Sequence, residues 1–249
     1  MDDLTQDKFL CGKLQLWQPR QGYRAATDPV LLAAACPALP GQSVLDLGCG
    51  VGAAALCLAA RVPDLRLSGL EVQAEYAALA RRNAAENGIA MQIEIGDLAD
   101  MPKPLRVDFD HVIANPPYYP KGGTPSPNAG RATALQIDKP LGDWVQVASR
   151  RLAPGGWLTL ICGADGLPEV LAAMGDKLGS ASVLPLTPRE GKPALRIILR
   201  ARKTGRAAFR LLAPFVIHHG NAHDGDRESY TQRASEILRG GESLSDEFR

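Results

Sequence analysis

The chain has 249 residues and a formal net charge of +1 at pH 7; 45% of its residues are hydrophobic and 22% are charged. This composition is ordinary for a soluble globular protein, and the length fits one large domain or one domain with a small appendage. No apolar run approaches the roughly 18 residues of a membrane span, and the small net charge does not by itself require a nucleic-acid partner.

Five scattered cysteines indicate a reducing, cytoplasmic location. Their number is odd and no two of them have Cys-x-x-Cys spacing, which argues against a disulfide framework or a zinc site. The acidic start of the chain lacks the basic and apolar regions of a signal peptide. His218, His219 and His223 have no carboxylate or thiol at a familiar ligand spacing, so they indicate a surface loop and we expect no metal.

The first 27 residues mix polar and amphipathic positions and predict a short strand or hairpin. Either Thr27 or Asp28 can cap the helix that follows, and Pro29 then stands in the first turn of that helix. Residues 30–36 are nearly all apolar, so this helix is expected to be buried.

From residue 43 the chain alternates strands and helices, which predicts an α/β fold with a mostly parallel sheet covered on both faces. Two final apolar runs without a long helix between them predict an antiparallel strand at the end of this seven-stranded sheet. We expect one domain, with an N-terminal extension (1–27), a core (28–203) and a C-terminal appendage (204–249). The predicted strands are 43–47, 65–70, 91–95, 109–114, 157–162, 182–186 and 195–201, and the predicted helices are 53–61, 74–87, 141–152 and 168–178.

A glycine-rich turn, residues 48–52, connects the first strand of this sheet to a helix. Its glycines allow the backbone to approach a ligand closely, and the spacing satisfies the dinucleotide-binding fingerprint. Glu71 ends the second strand, where an acid can bind ribose hydroxyls, so the glycines alone do not separate a nicotinamide enzyme from another nucleoside binder. Asp46 favours the latter, because it would repel a pyrophosphate but suits a cationic amino group.

Asp46, the glycine turn and Glu71 together resemble the S-adenosylmethionine site of class I methyltransferases, which have a Rossmann-like fold. The resemblance implies S-adenosylmethionine as the cofactor, and it implies that Asp97, which follows the third strand, receives the adenine amino group. The cofactor-binding residues expected from this resemblance are Thr27, Asp46, Gly48, Cys49, Gly50, Gly52, Glu71, Val72, Asp97, Leu98 and Asn115.

The fourth strand of the sheet runs directly into Asn115-Pro116-Pro117-Tyr118. Two prolines stiffen this loop, which stands at the sheet edge where ligands of open α/β proteins bind. The Asn115 side-chain oxygen and the Pro116 carbonyl can accept the two N–H groups of a planar amine or amide, which turns the nitrogen lone pair toward a methyl donor. Tyr118 can stack on a flipped base. The four residues resemble the amino-methyltransferase motif, which implies that they are catalytic.

Flanking segments extend the resemblance to most of residues 8–240. Residues 9–16, 22–34, 152–156 and 191–196 are similar to the bacterial tRNA1(Val) (adenine-37) N6-methyltransferase family. This resemblance implies methyl transfer to the exocyclic N6 of an adenine in tRNA, and it implies that Tyr23 and the Thr27–Asp28 region line the cleft. Methylation of another planar nitrogen, in a guanine of ribosomal RNA or a protein glutamine, remains open, as does a noncatalytic RNA-binding module.

A basic strip near the cleft is the expected contact for RNA. Between Arg189 and Arg210 the chain has eight basic residues against one acid, Glu190, and such a strip can bind phosphates without sequence preference. The alternative is a solvated edge strand whose charges prevent aggregation. The residues expected to bind substrate or RNA are Tyr23, Arg24, Tyr119, Lys121, Arg131, Arg200, Arg202 and Lys203.

Overall fold

The computed structural model describes residues 3–117, 139–220 and 229–249. Several predicted elements begin and end as expected, and the others differ by a few residues at one or both ends. The strands are β1 (Leu4–Phe9), β2 (Leu14–Pro19), β3 (Ser43–Leu47), β4 (Arg66–Glu71), β5 (Met91–Ile95), β6 (Phe109–Ala114), β7 (Leu152–Gly163), β8 (Leu178–Thr187), β9 (Arg196–Lys203), β10 (Arg210–Leu211) and β11 (Phe215–Val216). The helices are α1 (Thr27–Ala35), α2 (Ala53–Arg61), α3 (Ala74–Glu86), α4 (Leu141–Arg151), α5 (Leu167–Met174) and α6 (Gln232–Ser235).

The main sheet has the strand order β10-β8-β9-β7-β6-β3-β4-β5, and β11 also pairs with β8. The seven longer strands are those predicted, and they confirm the class I methyltransferase fold, with β3 to β7 parallel to one another. The position predicted for the antiparallel strand is wrong. β9 is antiparallel to both β7 and β8 and lies between them, because α5 carries the chain past that position before β9 returns into the gap.

Helices cover both faces of the sheet. α1, α2 and α3 pack on one face, together with the β1–β2 hairpin and the C-terminal segment, in a core that includes Leu31, Leu56 and Ile113. α4 and α5 pack on the other face, where Val145 and Val170 contact a second core. In the part of the chain that the structure describes, no helix covers the carboxyl ends of β3, β4, β5 and β6 along one edge of the sheet.

Two side chains of α3 attach the β1–β2 hairpin to the rest of the protein. Asn83 accepts the Trp17 N–H at 2.7 Å and donates to the Trp17 carbonyl at 3.1 Å. One turn later, Asn87 makes the same pair of bonds with Gln15, at 3.0 and 2.8 Å. Asn83 also donates to the Val51 carbonyl at 3.0 Å, within the glycine turn. The two amides thus satisfy the free edge of β2 as a neighbouring strand would.

The predicted cap of α1 is wrong. The helix begins at Thr27, so Thr27 and Asp28 lie in its first turn. Ala26 occupies the capping position and makes no side-chain hydrogen bond. Asp28 instead accepts a hydrogen bond from Arg196 Nε at 3.2 Å. This ion pair connects the start of α1 to β9, so tertiary contact decides where the Asp28 side chain lies.

No helix in the described parts of the chain is both long and apolar enough to cross a membrane. All five cysteines are free thiols, and four of them are buried. Within the described ranges, no group of three or more His, Cys, Asp or Glu side chains could hold a metal ion.

Candidate active site

The uncovered edge of the sheet forms a cleft with about 820 Å³ of empty space, part of it open to solvent. A second cavity of about 320 Å³ lies beside it and shares Tyr23, Gly48 and Asn115 with the cleft. The cleft is lined by Tyr23, Gly48, Gly50, Leu70, Glu71, Val72, Gln73, Tyr76, Gly96, Asp97, Leu98, Asn115, Pro117, Lys139 and Trp144. The adjoining cavity is lined by Tyr23, Ala25, Pro29, Asp46, Gly48, Cys49, Val51, Ala53, Ala54 and Asn115.

Backbone conformation and packing both require glycine at the start of the turn. Gly48 has φ of +67°, and a Cβ atom placed there would lie 2.6 Å from the Trp144 ring. Gly52 has φ of +84° and caps α2, whose Leu56 N–H bonds to the Gly52 carbonyl at 3.0 Å. Gly52 does not line either cavity, so it shapes the turn while Gly48 and Gly50 form the surface of the cleft.

Glu71 is held in place at the end of β4 by backbone donors. Its two carboxylate oxygens accept the N–H groups of Gly50 and Gln73, each at 2.9 Å. Burial raises the pKa of this carboxyl, and the two N–H groups act in the opposite direction. Each oxygen keeps a further lone pair, so Glu71 can accept two hydroxyl donors from a ligand in the cleft.

Asp46 is a buried carboxylate with little compensation for its charge. Only 2% of the residue is exposed, and the Ala55 N–H donates to it at a long 3.3 Å. Burial raises its pKa to about 8, with a smaller increase from the charge of Glu71. Among the described residues no basic side chain pairs with Asp46. The carboxylate therefore lines a cavity in which a cationic group would be stabilised.

Asp97 lies across the cleft from the glycine turn. Its Oδ1 accepts the Ala99 N–H at 2.6 Å and forms an ion pair with Lys139 at 3.0 Å. Partial burial of this carboxyl opposes ionisation, but the Ala99 N–H and the Lys139 charge outweigh it, so the pKa of Asp97 is lowered. Asp97 is therefore an ionised acceptor at neutral pH.

Asn115 stands directly after β6 and lines both cavities. Its Nδ2 donates to the Tyr23 hydroxyl at 3.0 Å, which directs the side-chain oxygen away from that hydroxyl. Tyr23 is fixed in turn by Tyr76, whose hydroxyl accepts the Tyr23 N–H at 3.1 Å and donates to the Tyr23 carbonyl at 3.2 Å. Burial of the Tyr23 hydroxyl and the nearby Asp28 and Asp46 charges raise its pKa, so it stays protonated.

Most of the predicted cofactor residues come together at this edge of the sheet. The exceptions are Gly52 and Thr27, which line neither cavity, while Pro29 and Ala25 line the smaller one. Among the predicted catalytic residues, Asn115 and Pro117 line the cleft and Pro116 is buried beside it. The predicted positions Tyr118, Tyr119, Lys121 and Arg131, the 120–130 loop and His223 lie outside the described residues.

Six residues of the cleft were missed from the sequence: Leu70, Gln73, Tyr76, Gly96, Lys139 and Trp144. Gln73 and Tyr76 follow Glu71 closely in the sequence, at the start of α3. This short separation from a predicted site residue could have identified them. Lys139 and Trp144 come from a different segment, and only the three-dimensional structure brings them to the cleft.

The basic strip does not lie beside the cleft along its whole length. Arg196 pairs with Gly163 at the carboxyl end of β7, whereas Arg202 pairs with Trp157 toward its start. Arg200, Arg202 and Lys203 therefore lie toward the opposite edge of the sheet, since β9 runs antiparallel to β7. Arg202 donates to the Gly155 carbonyl at 2.9 Å and Lys203 to the Leu152 carbonyl at 2.5 Å. Contact of these residues with RNA stays a prediction.

Arg24 is also engaged within the protein. Its guanidinium forms an ion pair with Asp7 at 2.5 Å and donates to the Thr5 hydroxyl and the Pro19 carbonyl, each at 2.8 Å. These bonds stabilise the β1–β2 hairpin.

Comparison with known proteins shows which family model and which relatives this chain matches. A family model described as "Methyltransferase small domain" matches residues 26–184. The chain is 32% identical over 221 residues to the tRNA1(Val) (adenine(37)-N6)-methyltransferase of Porphyromonas gingivalis, covering 84% of this chain and 86% of that protein. It is 31% identical over 214 residues to the protein of the same name from Aeromonas hydrophila, covering 84% and 88%.

A solved structure from Agrobacterium tumefaciens, described as a predicted O-methyltransferase, has a similar fold. The TM-score is 0.70 at 28% sequence identity, and the match covers 87% of this chain and 98% of that one.

Proposed function

The chain belongs to the methyltransferase small domain family and to the family of tRNA1(Val) (adenine(37)-N6)-methyltransferases, and we propose that it methylates the exocyclic N6 of an adenine in tRNA. The observation that carries this proposal is the position of Asn115, which lines both cavities and is oriented by Tyr23. The names of the two relatives support adenine and tRNA as the substrate.

The residues of the cleft fit S-adenosylmethionine, which supplies an electrophilic methyl group on a sulfonium centre. Asp46 would hold the cationic amino group, because its buried carboxylate has one long backbone bond and no basic partner among the described side chains. Glu71 would accept the ribose hydroxyls with the lone pairs left free by Gly50 and Gln73. Asp97 would accept the adenine amino group as an ionised carboxylate.

Asn115 and Pro116 would prepare the nitrogen of the substrate for attack on the methyl group. An exocyclic amine donates its lone pair into the ring and is therefore a weak nucleophile. When the Asn115 side-chain oxygen and the Pro116 carbonyl accept its two N–H groups, the lone pair turns out of the ring plane. These bonds strengthen as the nitrogen becomes tetrahedral, so they stabilise the transition state more than the bound substrate.

A pair of acceptors favours a nitrogen over an oxygen as the methyl acceptor. A hydroxyl carries a single proton and has no use for a second acceptor, so the description of the Agrobacterium protein as an O-methyltransferase does not transfer to this site. A guanine amine or a glutamine amide offers the same two N–H groups as adenine. The guanine amine and the glutamine amide are therefore the alternative methyl acceptors that an assay has to distinguish from adenine.

The division of the chain into working parts is also a proposal. Residues 1–27 would form an extension that supplies Tyr23 to the cleft, and residues 28–203 the catalytic core. Residues 204–249 would form an appendage on α1, supported by the bond from the Leu244 N–H to the Ala34 carbonyl at 2.8 Å.

Mass analysis of nucleosides tests this function. The protein is incubated with S-adenosylmethionine and unmodified total tRNA, and the RNA is then digested. N6-methyladenosine formed by the wild type but not by Asn115→Ala is the expected result. Methylguanosine, or methylation confined to protein, would contradict it. Binding of NADH without binding of S-adenosylhomocysteine would exclude a methyltransferase altogether.

A further inference from the structure

A third cavity lies at the edge of the sheet opposite the cleft. It has about 900 Å³ of empty space, part of it open to solvent, between β8, β9, the segment before β10 and the C-terminal turn (Ser245–Phe248). Among the residues that the structure describes, the polar lining is basic or hydroxylic and includes no acidic side chain. We call it the arginine pocket after Arg200, Arg202 and Arg210, which line it with Ser180, Ser182 and Trp157.

Arg200 is the buried cation of this pocket. Only 8% of the residue is exposed, and its guanidinium carbon lies 4.4 Å from the Phe248 ring centre and 5.3 Å from that of Trp157. Its Nε is buried and has no hydrogen-bond partner within the described residues. The two rings stabilise the cation in part, but the unsatisfied Nε carries a cost, and a bound anion would compensate the charge of the guanidinium.

The charged groups around Arg200 do not neutralise its positive charge. Burial lowers its pKa to about 10; Cys36 opposes this shift, and the positive charges of Arg210 and Arg61 add smaller effects in the same direction as burial. The nearest acids of the C-terminal turn have other partners: Asp246 pairs with Arg249 at 3.1 Å and Glu247 with Arg233 at 3.5 Å. A buried cation without a carboxylate is destabilising unless an anion compensates it.

Two serine hydroxyls complete the set of donors. Ser182 accepts a hydrogen bond from Arg210 Nε at 3.2 Å, and Ser180 accepts one from the Ala207 N–H at 3.0 Å. Each hydroxyl therefore keeps its own proton to donate into the pocket. Arg210 is held in position by the Phe248 carbonyl, at 2.5 Å, and by the main-chain oxygen of Arg249, the last residue of the chain, at 2.6 Å, so the pocket is largely formed before any ligand binds.

We propose that the arginine pocket binds a phosphate group. Phosphate oxygens accept several hydrogen bonds at once and match the planar fork of arginine. The phosphate is either part of an RNA backbone, in which case this proposal rests on the proposed function, or part of a small phosphorylated molecule. Exposed Phe209 and Leu211 flank Arg210, with 52% and 67% of their surfaces accessible, and a ring beside cations favours RNA, whose bases stack on such rings.

The pocket is too far from the cleft to share one nucleotide with it. Six residues of β7, from Trp157 to Gly163, separate the register positions of Arg202 and Arg196, which is about 20 Å along a strand. A folded RNA that presented one base to Asn115 would reach the arginine pocket with a different part of its backbone.

Phosphorus NMR with pyrophosphate tests the site without cofactor or RNA. We expect line broadening with the wild-type protein, and binding at least tenfold weaker with Arg200→Gln and with Ser182→Ala. Arg206→Gln, which removes an exposed charge outside the pocket lining, is the matched control and should bind as the wild type does. Ser182→Ala keeps the test valid if Arg200→Gln fails to fold. Absence of pyrophosphate binding, or equal binding by all variants, overturns the proposal.

A filter-binding titration with tRNA then identifies the source of the phosphate. If the RNA backbone occupies the pocket, Arg200→Gln and Ser182→Ala weaken tRNA binding at least fivefold and Arg200→Gln reduces its salt dependence, while Arg206→Gln does neither. If tRNA binding is unchanged but pyrophosphate binding is lost, the ligand is a small phosphorylated molecule. Both results support a phosphate site, and neither depends on methyl transfer, so a failure of the proposed function would be seen separately.

Discussion

The Asn115 amide nitrogen donates to the Tyr23 hydroxyl at 3.0 Å, across 92 residues of sequence. This bond selects one of the two orientations of the amide, so the oxygen is presented to a substrate and the nitrogen to the protein. The segment between β2 and α1 thereby determines the chemistry available at the end of β6.

Replacing Asn115 by Ala should lower kcat by about 10²- to 10³-fold, because one of two acceptors for the substrate nitrogen is lost. Affinity for S-adenosylhomocysteine, measured by calorimetry, should change little, since Asp46 and Glu71 remain. Turnover near the wild-type rate would show that the acceptor mechanism is wrong.

Replacing Tyr23 by Phe removes the hydroxyl that orients Asn115 but keeps the ring. A lost hydrogen bond of about 1 kcal/mol should lower kcat roughly fivefold, with KM for S-adenosylmethionine nearly unchanged. Tyr230→Phe, which removes a hydroxyl outside both cavities, is the matched control. A change in KM alone would assign Tyr23 to cofactor binding instead of positioning.

Replacing Asp46 by Asn should weaken S-adenosylmethionine binding at least tenfold and yet stabilise the free protein at high pH. Burial raises the Asp46 pKa to about 8 from 3.8, so the folded protein keeps a proton that the unfolded chain loses. The free energy of unfolding therefore decreases as pH rises from about 4 to about 8.

Urea titrations of wild type and Asp46→Asn across this pH range isolate the contribution of the carboxyl. The difference between the two proteins should grow in favour of the variant as pH rises. A constant difference would mean that Asp46 titrates normally. Cofactor affinity of the wild type should rise with pH over the same range, because the ionised carboxylate binds the amino group.

Replacing Gly48 by Ala should destabilise the protein more than the same change at Gly88. Both positions have φ near +66°, but only the Gly48 Cβ would overlap the Trp144 ring, at 2.6 Å, whereas no atom of the described residues lies within 4 Å of a Cβ at Gly88. The backbone strain costs about 1 kcal/mol at either position, and overpacking adds about 1–3 kcal/mol at Gly48. Equal losses in urea unfolding would refute the role of Trp144.

The sequence predicted those parts of the site that lie next to a recognisable local pattern. Asp46, Glu71 and Asn115 each stand at the end of a strand, and the parallel sheet brings the ends of its strands together. Lys139 and Trp144 carry no such pattern, because tertiary packing alone brings α4 against the glycine turn. The full extent of the basic strip was not placed from the sequence, because a run of local charge does not show that β9 carries Arg196 at one edge of the sheet and Arg202 toward the other.

The bonds from Asn83 and Asn87 to β2 determine where the protein would open locally beside the cleft. Because these amides replace a strand partner, the edge of β2 can open from α3 without breaking a hydrogen bond of the main sheet. Amide hydrogen exchange at Trp17 and Gln15 would then be faster than at Val112 in the centre of the sheet, as expected for a local opening. Since Asn83 also bonds to the Val51 carbonyl, each such opening would release Tyr23 and loosen the glycine turn together.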